Sequence, residues 1–145
     1  MSVKRVKGNF AKDMKKKQEA FKRLQHSLPK ILGNDTENHF KEGFRRGGGM
    51  TDAGSWKPRK RSDFGRAILV QSGTLRRDIK RRQTSWGRTV VSTSQLTEDY
   101  AAVHNRGLRA GRGRGFQMPK REFIGESRIL RNRLKISIQK ELKRL

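Results

Sequence analysis

Residues 126–145 read ESRILRNRLKISIQKELKRL, and the choice between helix and strand here decides the fold class. The alternation of Leu134, Ile136 and Ile138 is strand-like. Leu130, Leu134, Ile138, Leu142 and Leu145 nevertheless fall on one helical stripe, and the segment is too long for an ordinary strand. The spacing therefore predicts a C-terminal helix. Ile129 and Ile136 lie on a second side, so this helix carries two apolar lines and can touch two partners at once.

Upstream, residues 106–121 hold Arg106, Arg109, Arg112, Arg114, Lys120 and Arg121 with no acid, interleaved with Gly107, Gly111, Gly113 and Gly115. This composition predicts a flexible basic loop. Tyr100–His104 reads as a short helical turn ended by Gly107. The centre reads as β structure. Ala67–Val70 is a short apolar run closed by Ser72-Gly73. Leu75–Arg82 is compatible with a strand or with a turn or two of helix. Thr89–Thr93, with Val90 and Val91, is a strand preceded by a turn at Gly87. A small antiparallel sheet follows from this pattern.

Towards the N-terminus, residues 47–66 form a second flexible loop, rich in Gly, Lys and Arg, with Trp56 as its one large apolar anchor. A short helix is expected over Asp35–Arg46, opened by the capping pair Asn34 and Glu37, with Phe40 and Phe44 on one face. A further helix starts after Gly8. Phe10, Met14, Phe21, Leu24 and Leu28 lie within roughly 80° of one another on it, Lys17 interrupts the stripe, and Pro29 is expected to end or kink the helix. Residues 1–8 form a basic arm, and residues 9–145 form a single domain. The expected class is α+β: a small antiparallel sheet packed against a long C-terminal helix and one or two N-terminal helices.

Formal net charge is +24 over 145 residues, and only 31% of the chain is hydrophobic. Self-repulsion at this charge opposes compaction and calls for an anionic neighbour: nucleic acid, an anionic membrane or an acidic protein. The low apolar content suggests burial against neighbouring subunits as well as internally. There is no cysteine, which removes disulfides and thiolate metal sites. No apolar run approaches the roughly 18 residues needed to span a bilayer. The basic Met1–Lys7 is not followed by an apolar signal core, so assembly in the cytoplasm is expected.

Catalytic templates fail on inspection. His39 and Glu42 stand at i, i+3, but no third metal ligand accompanies them. Ser72, His104 and Asp78 can be composed into a triad on paper, yet no nucleophile elbow supports it. Neither glycine run is followed by the Lys-Ser or Lys-Thr of a phosphate-binding loop. No catalytic residue, metal or cofactor is assigned. Arg112-Gly113-Arg114-Gly115-Phe116 resembles segments that hold nucleic acid by charge and stacking. The same cations would equally suit an acidic protein surface. Trp56, Trp86 and Tyr100 read as core aromatics rather than stacking platforms.

The order of short motifs is more specific than any one of them. Asn38-His39-Phe40 through Phe44 precedes the loop with Trp56. Ile68 to Arg76 follows, with Ser72, Gly73 and Leu75. Next come Tyr100-Ala101-Ala102-Val103-His104-Asn105-Arg106-Gly107, and then Met118-Pro119-Lys120-Arg121-Glu122-Phe123-Ile124-Gly125. Over residues 35–142 this succession resembles the phage virion morphogenesis family, the tail-completion proteins of Mu-like phages. More distantly it is similar to ring-forming neck and tail-component proteins. The chain departs from the family pattern at Glu122, where a proline or small residue is common, and in its unusually basic N-terminal region and Arg-Gly loop.

The resemblance implies a non-enzymatic virion protein at the head-tail junction or tail end. It would act in a homo-oligomeric ring, six-fold as the working expectation, with portal, neck or tail proteins and packaged DNA as its candidate neighbours and no membrane. The six cations of 106–121 are the candidate contacts to DNA or acidic partners. Trp56, Ser72, Gly73, Leu75, Tyr100, His104, Gly107, Pro119, Phe123 and Gly125 are the family-like structural positions. The alternative is a basic nucleic-acid-binding protein.

Overall fold

In the computed structural model, which describes residues 9–59, 65, 67–85 and 88–145, one helix dominates: α1, Phe10–Arg46. It is followed by α2 (Thr74–Asp78), β1 (Lys80–Ser85), β2 (Arg88–Ser92), α3 (Gln95–Arg106), β3 (Arg109–Ala110), β4 (Phe116–Gln117) and α4 (Arg128–Leu142). The class is α+β. The basic arm, Trp86 and the Gly87 turn lie outside the described residues.

The N-terminal region is a single helix where two were expected. Pro29 lacks the N–H that would bond Gln25, and a proline inside a helix costs about 3 kcal/mol. Tertiary packing offsets this. Pro29 is buried, as are Leu24 before it and Gly33 after it, and its carbonyl accepts from Thr89 Oγ1 at 2.6 Å. Asn34 and Glu37 cap nothing. Glu37 instead accepts from the Arg81 backbone N–H at 2.9 Å and pairs with Lys41, tying β1 to the helix. The helix ends at Gly47, whose left-handed φ of 71° turns its N–H back to the Gly43 carbonyl.

β1 and β2 form an antiparallel pair, with Arg81 opposite Val91 and Thr84 opposite Thr89; the register shifts between Arg81 and Gln83. This ribbon lies directly on α1. A Cβ at Gly33 would clash with the Arg81 side chain and stand 2.5 Å from Thr89 Cγ2, so a larger residue would have to push the ribbon's side chains aside. Leu75–Arg82, ambiguous in sequence, is both things in turn: one short helix, then a strand. Ala67–Val70 is not a strand. It turns on itself, with Val70 N–H on the Ala67 carbonyl at 3.1 Å and Leu69 at φ 60°. Ile68, Leu69 and Val70 pack on the core from this turn without strand pairing.

The core gathers on the second half of α1. Phe40 and Phe44 meet Trp56, Leu75, Ile79, Ala101, Phe123 and Leu130. Phe44 is wholly buried, with Trp56 edge-on at 5.3 Å and Phe123 tilted at 5.5 Å. On α4 the inner side is Leu130, Leu134, Ser137 and Ile138; Leu142 and Leu145, expected on that stripe, are exposed. Ser137 Oγ donates to Asp35 at 2.6 Å, fastening α4 to α1.

Polar groups fix the connections. Ser94 precedes α3 without capping it through its own side chain. Asp78, at the end of α2, anchors the start of α3: its carboxylate accepts from Ser94 N at 2.6 Å, Ser94 Oγ at 2.8 Å and Thr97 Oγ1, and pairs with Arg82 at 2.7 Å. Burial would raise this carboxyl, but those bonds prevail and hold it well below the usual carboxylate range. Asn105, near the end of α3, clamps the chain before α4. Its Oδ1 accepts from Phe123 N at 2.8 Å and Ile124 N at 3.0 Å, and its Nδ2 donates to the Ile124 carbonyl at 2.9 Å.

His39 joins three segments. Its Nε2 lies 2.6 Å from the Met50 carbonyl and 3.1 Å from Ser127 Oγ, the hydroxyl that caps α4 by accepting from Leu130 N at 3.1 Å. The Met50 carbonyl requires an N–H at Nε2, which leaves Nδ1 to accept from Arg133 Nη1 at 3.5 Å. Burial lowers the His39 pKa, and the Arg133 charge lowers it further, against the opposing effects of the Met50 bond and Glu42.

Two outcomes follow. Asn105→Ala leaves two N–H groups and a carbonyl unmatched in a part-buried segment, and should cost about 2–4 kcal/mol in chemical denaturation. His39 binds its proton more weakly folded than unfolded. Stability should therefore fall as pH drops below about 6.5, until the folded-state pKa is passed. Thermal melts from pH 8 to 5 should show this decline, and His39→Gln should lessen it, the remainder coming from the buried His104, whose pKa is lowered as well.

Candidate assembly surfaces

Most groups with catalytic potential are engaged in structure; the buried Nδ1 of His104 has no hydrogen-bond partner among the described residues. His39 and Ser127 touch, but Ser127 caps a helix, and the far nitrogen of His39 faces the Arg133 guanidinium where a triad would place a carboxylate. Arg133 also pairs with Glu42 at 3.1 Å, so a cation side chain occupies the space between the two residues whose spacing raised a metal site. Among the described residues, His, Cys, Asp and Glu form no group of metal-binding geometry. Ser72 Oγ bonds Thr74 Oγ1 at 2.8 Å, and Asp78 holds α3.

The basic segment is a small hairpin raised on the end of α3. Arg106 closes that helix, and Gly107 turns out of it at φ 69° with its N–H on Val103. A Cβ at Gly107 would meet Lys120 N at 2.8 Å, so the two ends of the hairpin cross where only glycine fits. Arg109 pairs with Gln117 and Ala110 with Phe116. Gly115 N–H returns to the Arg112 carbonyl at 3.3 Å, and Met118 N–H to Leu108 at 3.1 Å.

This scaffold separates the six cations. Arg106, Arg109, Arg112 and Arg114 are exposed. Lys120 is exposed but pairs with Glu122 at 2.7 Å. Arg121 is buried. Its Nε donates to the Lys57 carbonyl at 3.1 Å and its backbone N–H to His104 at 2.9 Å, so it holds the hairpin base to the Trp56 loop and is not at the surface with the other five.

The family-like positions are spread over the core, the turns and the surface. Trp56 is buried and donates Nε1–H to the Glu122 carbonyl at 2.9 Å. Leu75 and Phe123 are core, Gly73 opens α2 in the left-handed region, and Pro119 is half-buried at the hairpin exit. At Gly125 the place of a Cβ is taken by the Glu122 side chain. His104 is buried; burial, then the Arg121 charge, lower its pKa and so favour its neutral form. Tyr100, expected in the core, is 52% exposed, its ring 4.4 Å from His104. It stands one turn of helix before His104, against whose ring it packs edge-on.

Exposed large apolar side chains fall in separate places: Phe10, Met14 and Phe21 on the first half of α1; Tyr100, Leu108 and Phe116 around the hairpin; Ile129, Ile136 and Leu142 on α4. Between α1, β2 and α4 lies a groove of about 440 Å³, lined by Leu28, Leu32, Phe40, Val91 and Leu134. The sequence reading found the Ile129–Ile136 line and the hairpin cations. It missed the groove, which needs the three elements assembled, and the roles of Asp78, Asn105 and His39. The Asn105-Arg106-Gly107 run at a helix end is the one local sign of such a clamp.

Comparison with curated proteins and with solved structures yields no match. A family model does match, over residues 2–143, nearly the whole chain: that of the phage virion morphogenesis family. The motif order read from the sequence and this match agree, and the chain belongs to the phage virion morphogenesis family.

Proposed function

We propose that this chain is a non-enzymatic, ring-forming connector subunit that completes the phage tail or joins it to the head. Membership of a virion assembly family supports the broad role. The observation that carries the finer reading is the distribution of apolar surface. A cyclic ring needs one patch of a subunit to meet a different patch of its neighbour. The outward line Ile129–Ile136 and the groove beside Leu32 and Val91 are two such patches on different sides of α4. Six-fold closure is the working expectation. In that ring, Arg106, Arg109, Arg112, Arg114 and Lys120 would face packaged DNA in the lumen or the acidic surface of a portal, neck or tail protein. Assembly would take place in the host cytoplasm, and the finished site would be the head-tail junction or tail end. No helix among the described residues is long and apolar enough to cross a membrane.

The hairpin favours a second reading, a basic nucleic-acid-binding protein. It presents three arginines, Arg109, Arg112 and Arg114, beside Phe116, which is 61% exposed, and aromatic stacking beside cations is how single strands are held without sequence preference.

Light scattering across a salt series separates the readings. A discrete oligomer, visible as rings in the electron microscope, is expected, and Ile129→Glu/Ile136→Glu should yield monomers with an unchanged melting temperature. A strict monomer that holds DNA tightly at low salt and releases it at high salt would favour the alternative. If the hairpin is what meets DNA, each of Arg109→Ala, Arg112→Ala and Arg114→Ala should reduce the slope of log affinity against log salt by about 1.

A further inference from the structure

The first half of α1 stands clear of the rest of the described residues. From Asn9 to Arg23 only Ala20 is even half-buried, and Leu24 is the first buried residue. This is about 20 Å of helix. Phe10 is 75% exposed, and Met14 and Phe21 are about half exposed. These three lie within roughly 40° of one another and of Leu28 and Leu32, which line the groove against β2 and α4. The face that packs on the protein's own body in the second half of α1 thus continues bare through the first. Short helices are marginal alone in water, and a bare aromatic stripe on one marks a face that is covered elsewhere.

Charge decides what covers it. The projecting half carries Lys12, Lys15, Lys16, Lys17, Lys22 and Arg23 against Asp13 and Glu19. None of these cations has an ion-pair partner among the described residues, whereas Glu37, Glu42 and Asp35 in the second half are engaged with Lys41, Arg133 and Ser137. Lys15 and Lys22 border one side of the stripe, and Lys17 stands within it. DNA would satisfy the lysines and leave Phe10 and Phe21 in water. A second copy would set this cationic helix against a +24 protein with few acids to spare.

We infer that the projecting half of α1 docks, through Phe10, Met14 and Phe21, into an apolar groove with an acidic rim on a different virion protein. This is a helix-in-groove contact, and it rests on the virion reading above. The connector would then carry distinct surfaces for its own copies and for the component it joins.

Photo-crosslinking in assembled particles tests this. Benzoylphenylalanine is placed at Phe21, or at Met14, in the full chain supplied to infected cells, and the crosslinked peptides from purified particles are sequenced. The expected result is a peptide of a second virion protein in which apolar residues are flanked by Asp or Glu. Crosslinks to another copy of this chain, to DNA or to lipid, or none from particles that contain the chain, would overturn the inference while leaving the virion reading intact. Absence of the chain from particles would overturn both. Met14→Gln/Phe21→Gln and, separately, Lys15→Glu/Lys22→Glu should each lower incorporation per particle by at least about tenfold, with melting temperature and solution oligomer unchanged. Lys15→Arg/Lys22→Arg should incorporate normally, and equal incorporation of all variants would contradict the proposed contact.

Discussion

Burial of Phe44 between Trp56 and Phe123 is the constraint on which the rest of the structure depends. These residues come from the long helix, the loop after it and the segment before the last helix, so one packed trio closes the chain on itself. Trp56 fills its place only because its indole N–H reaches the Glu122 carbonyl. Phe123 is presented only because Asn105 holds its backbone. One turn earlier on the same helix, His39 binds the Met50 carbonyl and the serine that caps α4. The stretch from His39 to Phe44 thus fixes the positions of the Trp56 loop, the hairpin base and the C-terminal helix together.

A core this small, in a chain this cationic, is stabilised largely by directed polar contacts. Asp78, Asn105 and Arg121 each satisfy backbone groups of a segment distant in sequence, and Ser127 caps its own helix while its hydroxyl touches His39. Such bonds contribute modestly when formed and cost more when broken, which favours one connection of the elements over its alternatives. The acids are few and mostly engaged internally, while most cations remain at the surface. The fold thus leaves its positive charge outward, for something outside the chain to neutralise.

Where periodicity or a glycine stop dominated, the fold was legible in the sequence. The C-terminal helix, the strand at Val90 and Val91 and the stop at Gly107 follow from spacing alone. The helix through Pro29 was not legible, because local propensity argues for a break and only tertiary packing on Gly33, Phe40 and Phe44 overrides it. Ala67–Val70 has the composition of a strand and the structure of a turn, since its apolar side chains fill the core without a pairing partner. Arg121 is indistinguishable in sequence from the other cations of its loop; its burial depends on the carbonyls of Lys57 and Pro58 arriving beside it. The motif order identified the family because order survives where each motif alone is weak.

Structure and family together describe an assembly component whose chemistry lies in its surfaces: a projecting basic helix, an arginine hairpin and an apolar line on α4. The central claim is that these surfaces meet neighbours within the virion. Cryo-electron microscopy of intact particles tests it most directly. The account predicts density for this fold arranged with cyclic symmetry at the tail terminus or head-tail junction, with the 109–117 hairpin and the first half of α1 in contact with different neighbours. Particles that lack this density, with the chain recovered only from infected cells and bound to nucleic acid, would contradict it.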